Sequence, residues 1–363
     1  MTRARTVARS EYLYWAKTAA AARFNLATSG IAGVPATELP FEAGAGELSP
    51  AGSYGYPPLL ARLAARYGVP ADCVVTATGA SMANYLAMGA LLEPGDEVRI
   101  ELPAYEPLLA VARYLGASIR RLQRSFENGF QIRPEELEGA MTKNTRLIVL
   151  TNLHNPSGVL LGEQALREIG DIARGAGTRV LVNEAYLDMR FGSPPTSAAH
   201  LGEPFLITSS LTKAYGLSGL RCGWIVSTPE LAERVWRLND LFGQIPVHLA
   251  ERMSALAFDH LDELARRAQA ILDRNRPLLD RFLDSRQDLQ AVRSAAGTLA
   301  FPRLAQGDAD AFCRYLREKY ETSVVPGRFF EMPQHFRIGV GGDTGAVRGG
   351  LERLAAALDT FGR

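Results

Sequence analysis

Phe205-Leu-Ile-Thr208-Ser-Ser210-Leu-Thr-Lys213-Ala-Tyr-Gly216-Leu-Ser-Gly219-Leu-Arg221-Cys-Gly223-Trp224-Ile-Val226 reads as a short apolar strand, a polar turn and a second apolar strand. The turn holds one of only four lysines in the chain (Lys17, Lys143, Lys213, Lys319), so positive charge elsewhere is almost all arginine. Hydroxyl residues stand three and one positions before Lys213, an arginine stands eight after it, and three glycines punctuate the segment. That grouping points to an amine held ready beside a bound phosphate. Lysine suits the task because burial and positive neighbours lower its pKa and free the neutral amine, whereas arginine stays charged.

The same rhythm extends outward. Residues 74–78, 97–100, 147–150 and 179–182 are further short apolar runs, and residues 81–92 carry a helical apolar stripe that ends at the turn Glu93-Pro94-Gly95-Asp96. Short buried strands separated by helices predict an α/β fold, a mostly parallel sheet sandwiched by helices. Ligands on such sheets bind beyond the carboxyl ends of the strands. Gly79, Tyr105, Asn155, Asn183, Tyr186 and Lys213 all fall at or just after a strand. From about residue 250 to 286 the pattern predicts one long helix bent at Pro277. Strand-like 298–301 and 336–340 and helical 309–320 and 346–361 then predict a smaller α+β domain. The expected division is a large domain over 46–250 and a small one built from 1–45 plus 251–363, joined by the long helix.

With 363 residues the chain is too long for one ordinary core, in agreement with two domains. A net charge of +1 gives no reason to expect nucleic acid or an anionic membrane as partner. Cys73, Cys222 and Cys313 have neither metal-ligand spacing nor a disulfide framework, which fits a reducing cytoplasm and no metal. No apolar run reaches the roughly 20 residues of a membrane span. The Arg-rich N-terminus lacks a signal-peptide core, so a transit peptide is the only targeting reading it leaves.

The Lys213 segment resembles the S-x-x-K-x-x-G-L-x-G-x-R-x-G pattern of fold type I pyridoxal-phosphate enzymes, in the class I/II aminotransferase family. Histidinol-phosphate and aspartate aminotransferases are the members it looks most like, and the likeness runs from about residue 25 to the C-terminus. It implies pyridoxal 5′-phosphate as cofactor, amino acid and 2-oxo acid as substrates, and a homodimer. Lys213 would bond the cofactor as an imine and then carry the proton between Cα and C4′. Gly79-Ala80-Ser81 would bind the phosphate at a helix N-terminus, completed by Ser210 and Arg221. Tyr105 would stack on the pyridine ring. Asn155, in His154-Asn155-Pro156-Ser157-Gly158, and Tyr186 would donate to the 3′ oxygen. Arg337, in Phe336-Arg337-Ile-Gly-Val-Gly341, would grip the substrate carboxylate, with Asn155 and the backbone of Gly30 beside it.

Two departures matter. Asn183 stands where the family has an aspartate against the pyridine nitrogen, so no charge there keeps the ring protonated. Glu184 follows it and, on a strand, faces the other way. The family tyrosine that reaches the neighbouring subunit's phosphate falls near Pro50, with Tyr54 and Tyr56 as substitutes. Arg234 and Arg237 lie in the region where dicarboxylate-specific relatives carry a second arginine, without aligning to it, so a neutral or apolar substrate side chain is expected. The reading is an aminotransferase. The alternatives are a decarboxylase or lyase on the same scaffold, or a weakly catalytic pyridoxal-phosphate-binding protein.

Overall fold

Seven strands pair into one sheet: β1 (Val74–Thr78), β2 (Glu97–Leu102), β3 (Ser118–Gln123), β4 (Thr145–Thr151), β5 (Arg179–Asn183), β6 (Phe205–Ser210) and β7 (Cys222–Val226). The computed structural model describes residues 9–40, 54–191 and 195–362. The order is β1-β7-β6-β5-β4-β2-β3, and β7 alone runs antiparallel to its neighbours. The interior strands are apolar on both faces because helices cover both. Alternate residues of β4 divide between two clusters. Ile148 and Leu150 pack with Leu59, Val180 and Ile207, while Leu147 and Val149 pack with Leu86, Ile100 and Leu181. Each such side chain contributes about 1.5–3 kcal/mol by leaving water.

The expected parallel α/β sheet is therefore present, with one strand more than the apolar runs predicted. That strand, β3, lies at the edge, and its sequence Ser-Ile-Arg-Arg-Leu-Gln alternates in exposure. It has no continuous apolar run because only one of its faces is covered.

Downstream, Phe336–Gly339 pairs antiparallel with Leu299–Ala300 on one side and Val325–Pro326 on the other. Helices Ala309–Tyr320 and Thr344–Thr360 pack on it through Phe312, Leu316, Leu351 and Leu354. The N-terminal segment joins this layer. Phe24–Asn25 pairs with Thr322–Ser323, and Leu26 O accepts from Gly339 N at 2.7 Å. The next residues pass so close to the strand that a Cβ on Gly341 would sit 2.9 Å from the Thr298 methyl and inside the contact distance of Gly30 O.

The long helix expected from about residue 250 comes as two, His248–Asp259 and Leu261–Asp284. The break is at His260 rather than at Pro277. His260 N–H closes the first helix on Ala257 O, and its carbonyl then accepts from Glu263 and Leu264 to open the second. Asp259 is held at this joint by the Arg62 guanidinium, at 2.7 and 2.8 Å. Pro277 sits inside the second helix. No helix among the described residues is long and apolar enough to cross a membrane, and no cluster of His, Cys, Asp or Glu among them could hold a metal ion.

Candidate active site

The carboxyl ends of the strands meet at one level. Thr151, Asn183 and Thr208 are register partners at the ends of β4, β5 and β6. Above them lies a cavity lined by Ala80, Ser81, Tyr105, Asn155, Asn183, Tyr186, Ser210, Lys213 and Arg221, among others. Nine of the sequence-derived positions thus converge on one cavity from six segments of chain.

One end gathers groups suited to an anion. Gly79, at φ +76°, turns the chain from β1 into the helix Gly79–Gly89. The first N–H groups of that helix have no partner within it, and Thr78 provides no side-chain cap. A Cβ on Gly79 would fall 2.9 Å from Arg221 Cζ, so the missing side chain lets the guanidinium close over the turn. Arg221 is exposed and donates weakly to Thr78 O and Ser218 O, both at 3.4 Å. It pairs with no carboxylate among the described residues. Ser210 accepts from Thr212 N at 3.4 Å, opening the turn of helix that carries Lys213.

Lys213 Nζ donates to Ser29 Oγ at 3.1 Å, and Tyr186 OH donates to the same oxygen at 2.9 Å. Burial, aided by the charges of Arg337 and Arg221 and opposed by Tyr12, holds the Lys213 amine below the usual lysine range.

On the cavity floor, Asn183 Oδ1 accepts from Ala185 N at 3.1 Å, which orients the amide and leaves its N–H groups as donors for the cavity. Asn84, also on the lining, accepts from Thr208 Oγ1 at 2.6 Å. No described lining residue is a carboxylate. Glu184 is turned away as its strand position requires. It accepts from Ser197 Oγ at 2.6 Å and Ala198 N at 2.7 Å, and burial pushes its carboxyl up to about 7.

The wall bearing Asn155 is fixed from below. Glu101 pairs with Arg124 at 2.7 Å, both fully buried, and accepts from Thr151 N at 2.9 Å. Asn155 N then donates to Thr151 Oγ1 at 3.0 Å. His154 is neutral, because burial and Arg124 hold its pKa well below the ordinary range. Its Nε2 must therefore donate to Pro103 O, at 2.9 Å, while Nδ1 accepts from Ser157. This ties the turn of Asn155 to the turn of Tyr105.

Asn155 Oδ1 accepts from Arg337 Nη1 at 2.7 Å. Arg337 is fully buried; its Nη2 donates to Tyr12 OH at 2.9 Å and Ala27 O at 3.1 Å, and its Nε is buried without a partner. No carboxylate among the described residues pairs with it, and a buried, unpaired cation is costly unless an anion joins it. Gly30 lines an adjoining cavity of about 530 Å³, between residues 27–33, Tyr12, Trp15, Tyr105 and Lys213. Tyr105 belongs to both cavities and meets Tyr12 edge-on at 5.8 Å.

The remaining sequence candidates lie elsewhere. Tyr54 stacks on Trp236 and donates to Asp240 at 2.9 Å, and Tyr56 packs edge-on against His248; neither lines its own chain's cavities, and neither needs to in order to reach a neighbouring subunit's phosphate. Pro50 falls outside the described residues. Arg234 caps Ala90 O at 2.6 Å and Arg237 faces Asp240, both away from the cavities. Sequence reasoning missed Ser29, Tyr12 and the Glu101–Arg124 pair. The only signal for Ser29 was its place beside Gly30.

The donor set fits pyridoxal phosphate: a helix start and a guanidinium without a carboxylate partner among the described residues for a dianion, a buried amine of lowered pKa, and polar side chains around a cavity that the Tyr105 ring also lines. The family model for aminotransferase class I and II matches residues 40–354. Capreomycidine synthase of Streptomyces vinaceus is 33% identical over 303 residues, covering 81% of this chain and 76% of that one. A PLP-dependent aminotransferase from Streptococcus suis superposes with a TM-score of 0.91 at 24% identity, covering 97% of each chain. The PLP-dependent cyclase OrfR superposes with a TM-score of 0.88 at 26% identity, covering 99% of each.

Proposed function

We propose that this chain, which belongs to the class I and II aminotransferase family and so uses pyridoxal phosphate, moves the amino group of an α-amino acid with an uncharged side chain to a 2-oxo acid. The observation that carries the reading is the enclosed Lys213 amine between the groups suited to an anion and the unpaired, buried Arg337. Bound there, the cofactor supplies an aldehyde that bonds amines and a ring that delocalises the electron pair left when a bond at Cα breaks. Gly79, Ala80, Ser81, Ser210 and Arg221 hold its phosphate. Tyr105 would pack on its ring, and Asn155 and Tyr186 would donate to its 3′ oxygen. Arg337, with Asn155 and the Gly30 backbone beside it, would hold the substrate carboxylate and so orient Cα toward Lys213. Lys213, with its pKa lowered, accepts and returns the Cα proton. The described lining of the larger cavity holds no carboxylate for a cationic side chain and no cation besides Lys213 for an acidic one, which supports an uncharged side chain.

The reading extends to two domains, 46–250 and 1–45 plus 251–363, and to a homodimer. Exposed Leu241, Phe242, Ile245, Val247 and Leu249 form the apolar run that supports the dimer.

A second reading rests on the 33% likeness to capreomycidine synthase and on Asn183: a reaction at the substrate's carbon skeleton that leaves the cofactor's aldehyde unchanged. One experiment separates the two. Purified protein, sedimenting as a dimer, is titrated with pyridoxal phosphate and then with a panel of amino acids. The expected result is stoichiometric conversion of the cofactor to its amine form by a neutral amino acid, with a 2-oxo acid released. A changed substrate with unchanged cofactor sinks the first reading in favour of the second.

Asn183→Asp is expected to speed loss of the Cα proton about tenfold. The new carboxylate keeps the Ala185 N–H on one oxygen and presents a charge to the ring nitrogen, where a charge-assisted hydrogen bond exceeds a neutral one by about 1 kcal/mol or more. Deuterium exchange at Cα reads the rate. An unchanged or slower exchange means that the site is built around an uncharged ring.

A further inference from the structure

We infer that Ser29 is a positioning residue for Lys213, holding the amine whenever it is not bonded to the cofactor and linking it to Tyr186. The inference deepens the reading above and rests on it for the chemistry, but its geometry stands in the chain alone. Ser29 is 7% exposed, and its Oγ accepts both the Lys213 Nζ bond at 3.1 Å and the Tyr186 OH bond at 2.9 Å. It is the one hydrogen-bond partner that Lys213 Nζ and Tyr186 OH each have among the described residues.

The hydroxyl is fixed from both sides. Ser29 O accepts from Thr298 Oγ1 at 2.7 Å, and two residues on Ile31 N donates to Lys213 O at 2.9 Å. The segment is therefore clamped to the small-domain strand and to the backbone of the very residue whose side chain it receives. Lysine has four rotatable bonds, and an amine that must return to one point above Cα gains from a fixed acceptor. Two accepted bonds also leave the Ser29 proton as a donor of its own. Lys213 and Tyr186 thus converge as donors on one oxygen, which fixes the amine beside the phenol. An acceptor oxygen favours the ammonium over the amine, so Ser29 counteracts part of the lowering that burial imposes on Lys213.

The small lysine count makes a direct test practical. Apoprotein labelled with 15N at lysine Nζ should give four resonances, of which Lys213 is identified by its loss in Lys213→Ala. In Ser29→Ala the Lys213 resonance should titrate at lower pH than in the parent, with Lys17, Lys143 and Lys319 unmoved, and Ser29→Thr should restore the parent curve. In the holoenzyme, Ser29→Ala should lower kcat for Cα hydrogen exchange about tenfold with little change in KM, and Ser29→Thr should recover it. Identical Lys213 titrations in parent and Ser29→Ala overturn the inference, as does a threonine variant as impaired as alanine. The apoprotein titration does not involve the cofactor. Failure of pyridoxal phosphate to bond Lys213 in the parent would count against the proposed function and leave this result to stand by itself.

Discussion

Lys213→Ala is expected to lower amino-group transfer by about 10³-fold while pyridoxal phosphate still binds. The magnitude follows from removing a positioned proton carrier, which contributes typically 10²–10⁴-fold. Cofactor retention follows from the geometry. The groups at Gly79, Ser81, Ser210 and Arg221 lie on the helix that follows β1, the end of β6 and the loop before β7, and none of them depends on the lysine side chain. The slot stays walled by Asn155, which Thr151 and Arg337 fix, and by Tyr105, on the turn whose Pro103 carbonyl is tied to His154. Borohydride reduction followed by peptide mass analysis is the check. The parent should carry one reduced cofactor on the peptide containing residue 213; the variant should carry none, yet retain the cofactor by absorbance after desalting. Label on another lysine of the parent, or transfer at near-parental rate in the variant, would remove Lys213 from its central role. The other three lysines are outside both cavities, so rescue from within the described chain has no candidate.

What could be read from the sequence, and what could not, divides by physical cause. Doubly buried strands such as β5, Arg-Val-Leu-Val-Asn, write their environment as a continuous apolar run, and the break to polarity at Asn183 marks where the strand reaches the site. Edge strand β3 leaves no such run, and the turn at His260 is made by backbone bonds that any residue can provide. In the site, residues carried by a local pattern were legible: the lysine segment, the Gly79 turn, the Asn155 turn and the arginine of the strand Phe336–Gly339. Ser29 was not, because its meaning comes from partners 157 and 184 residues away. Tyr12 was not either: it meets Arg337 from 325 residues away, on a helix whose sequence carries no motif. Glu101 and Arg124 carry no motif in the sequence; only the fold shows that both side chains are completely buried. The sequence also left open how Asn183 would face the cofactor. The Ala185 N–H, which binds its oxygen, is what orients the amide there.

Arg337→Gln tests the substrate end, and its signature is a loss of selectivity rather than of activity alone. Glutamine keeps one N–H for Asn155 Oδ1 but removes the charge and the fork. Losing one partner of a buried, hydrogen-bonded charge pair costs about 2–5 kcal/mol, so kcat/KM for α-amino acids should fall by about 10²–10³-fold. The same arginine also has structural contacts: its guanidinium lies 5.2 Å from the Phe330 ring centroid and 5.7 Å from that of Tyr12, and it donates to Ala27 O. A purely structural role predicts a lower melting temperature and equal losses for every substrate. Carboxylate recognition predicts that the preference for an amino acid over the corresponding amine, which lacks only the carboxylate, collapses toward unity. The amine's own rate and the affinity for pyridoxal phosphate should change little. The two accounts therefore differ in a ratio that folding defects cannot mimic. An undiminished preference for the acid would assign the carboxylate to another group, and the partnerless Nε of Arg337 would then have to be explained as a cost borne by the fold.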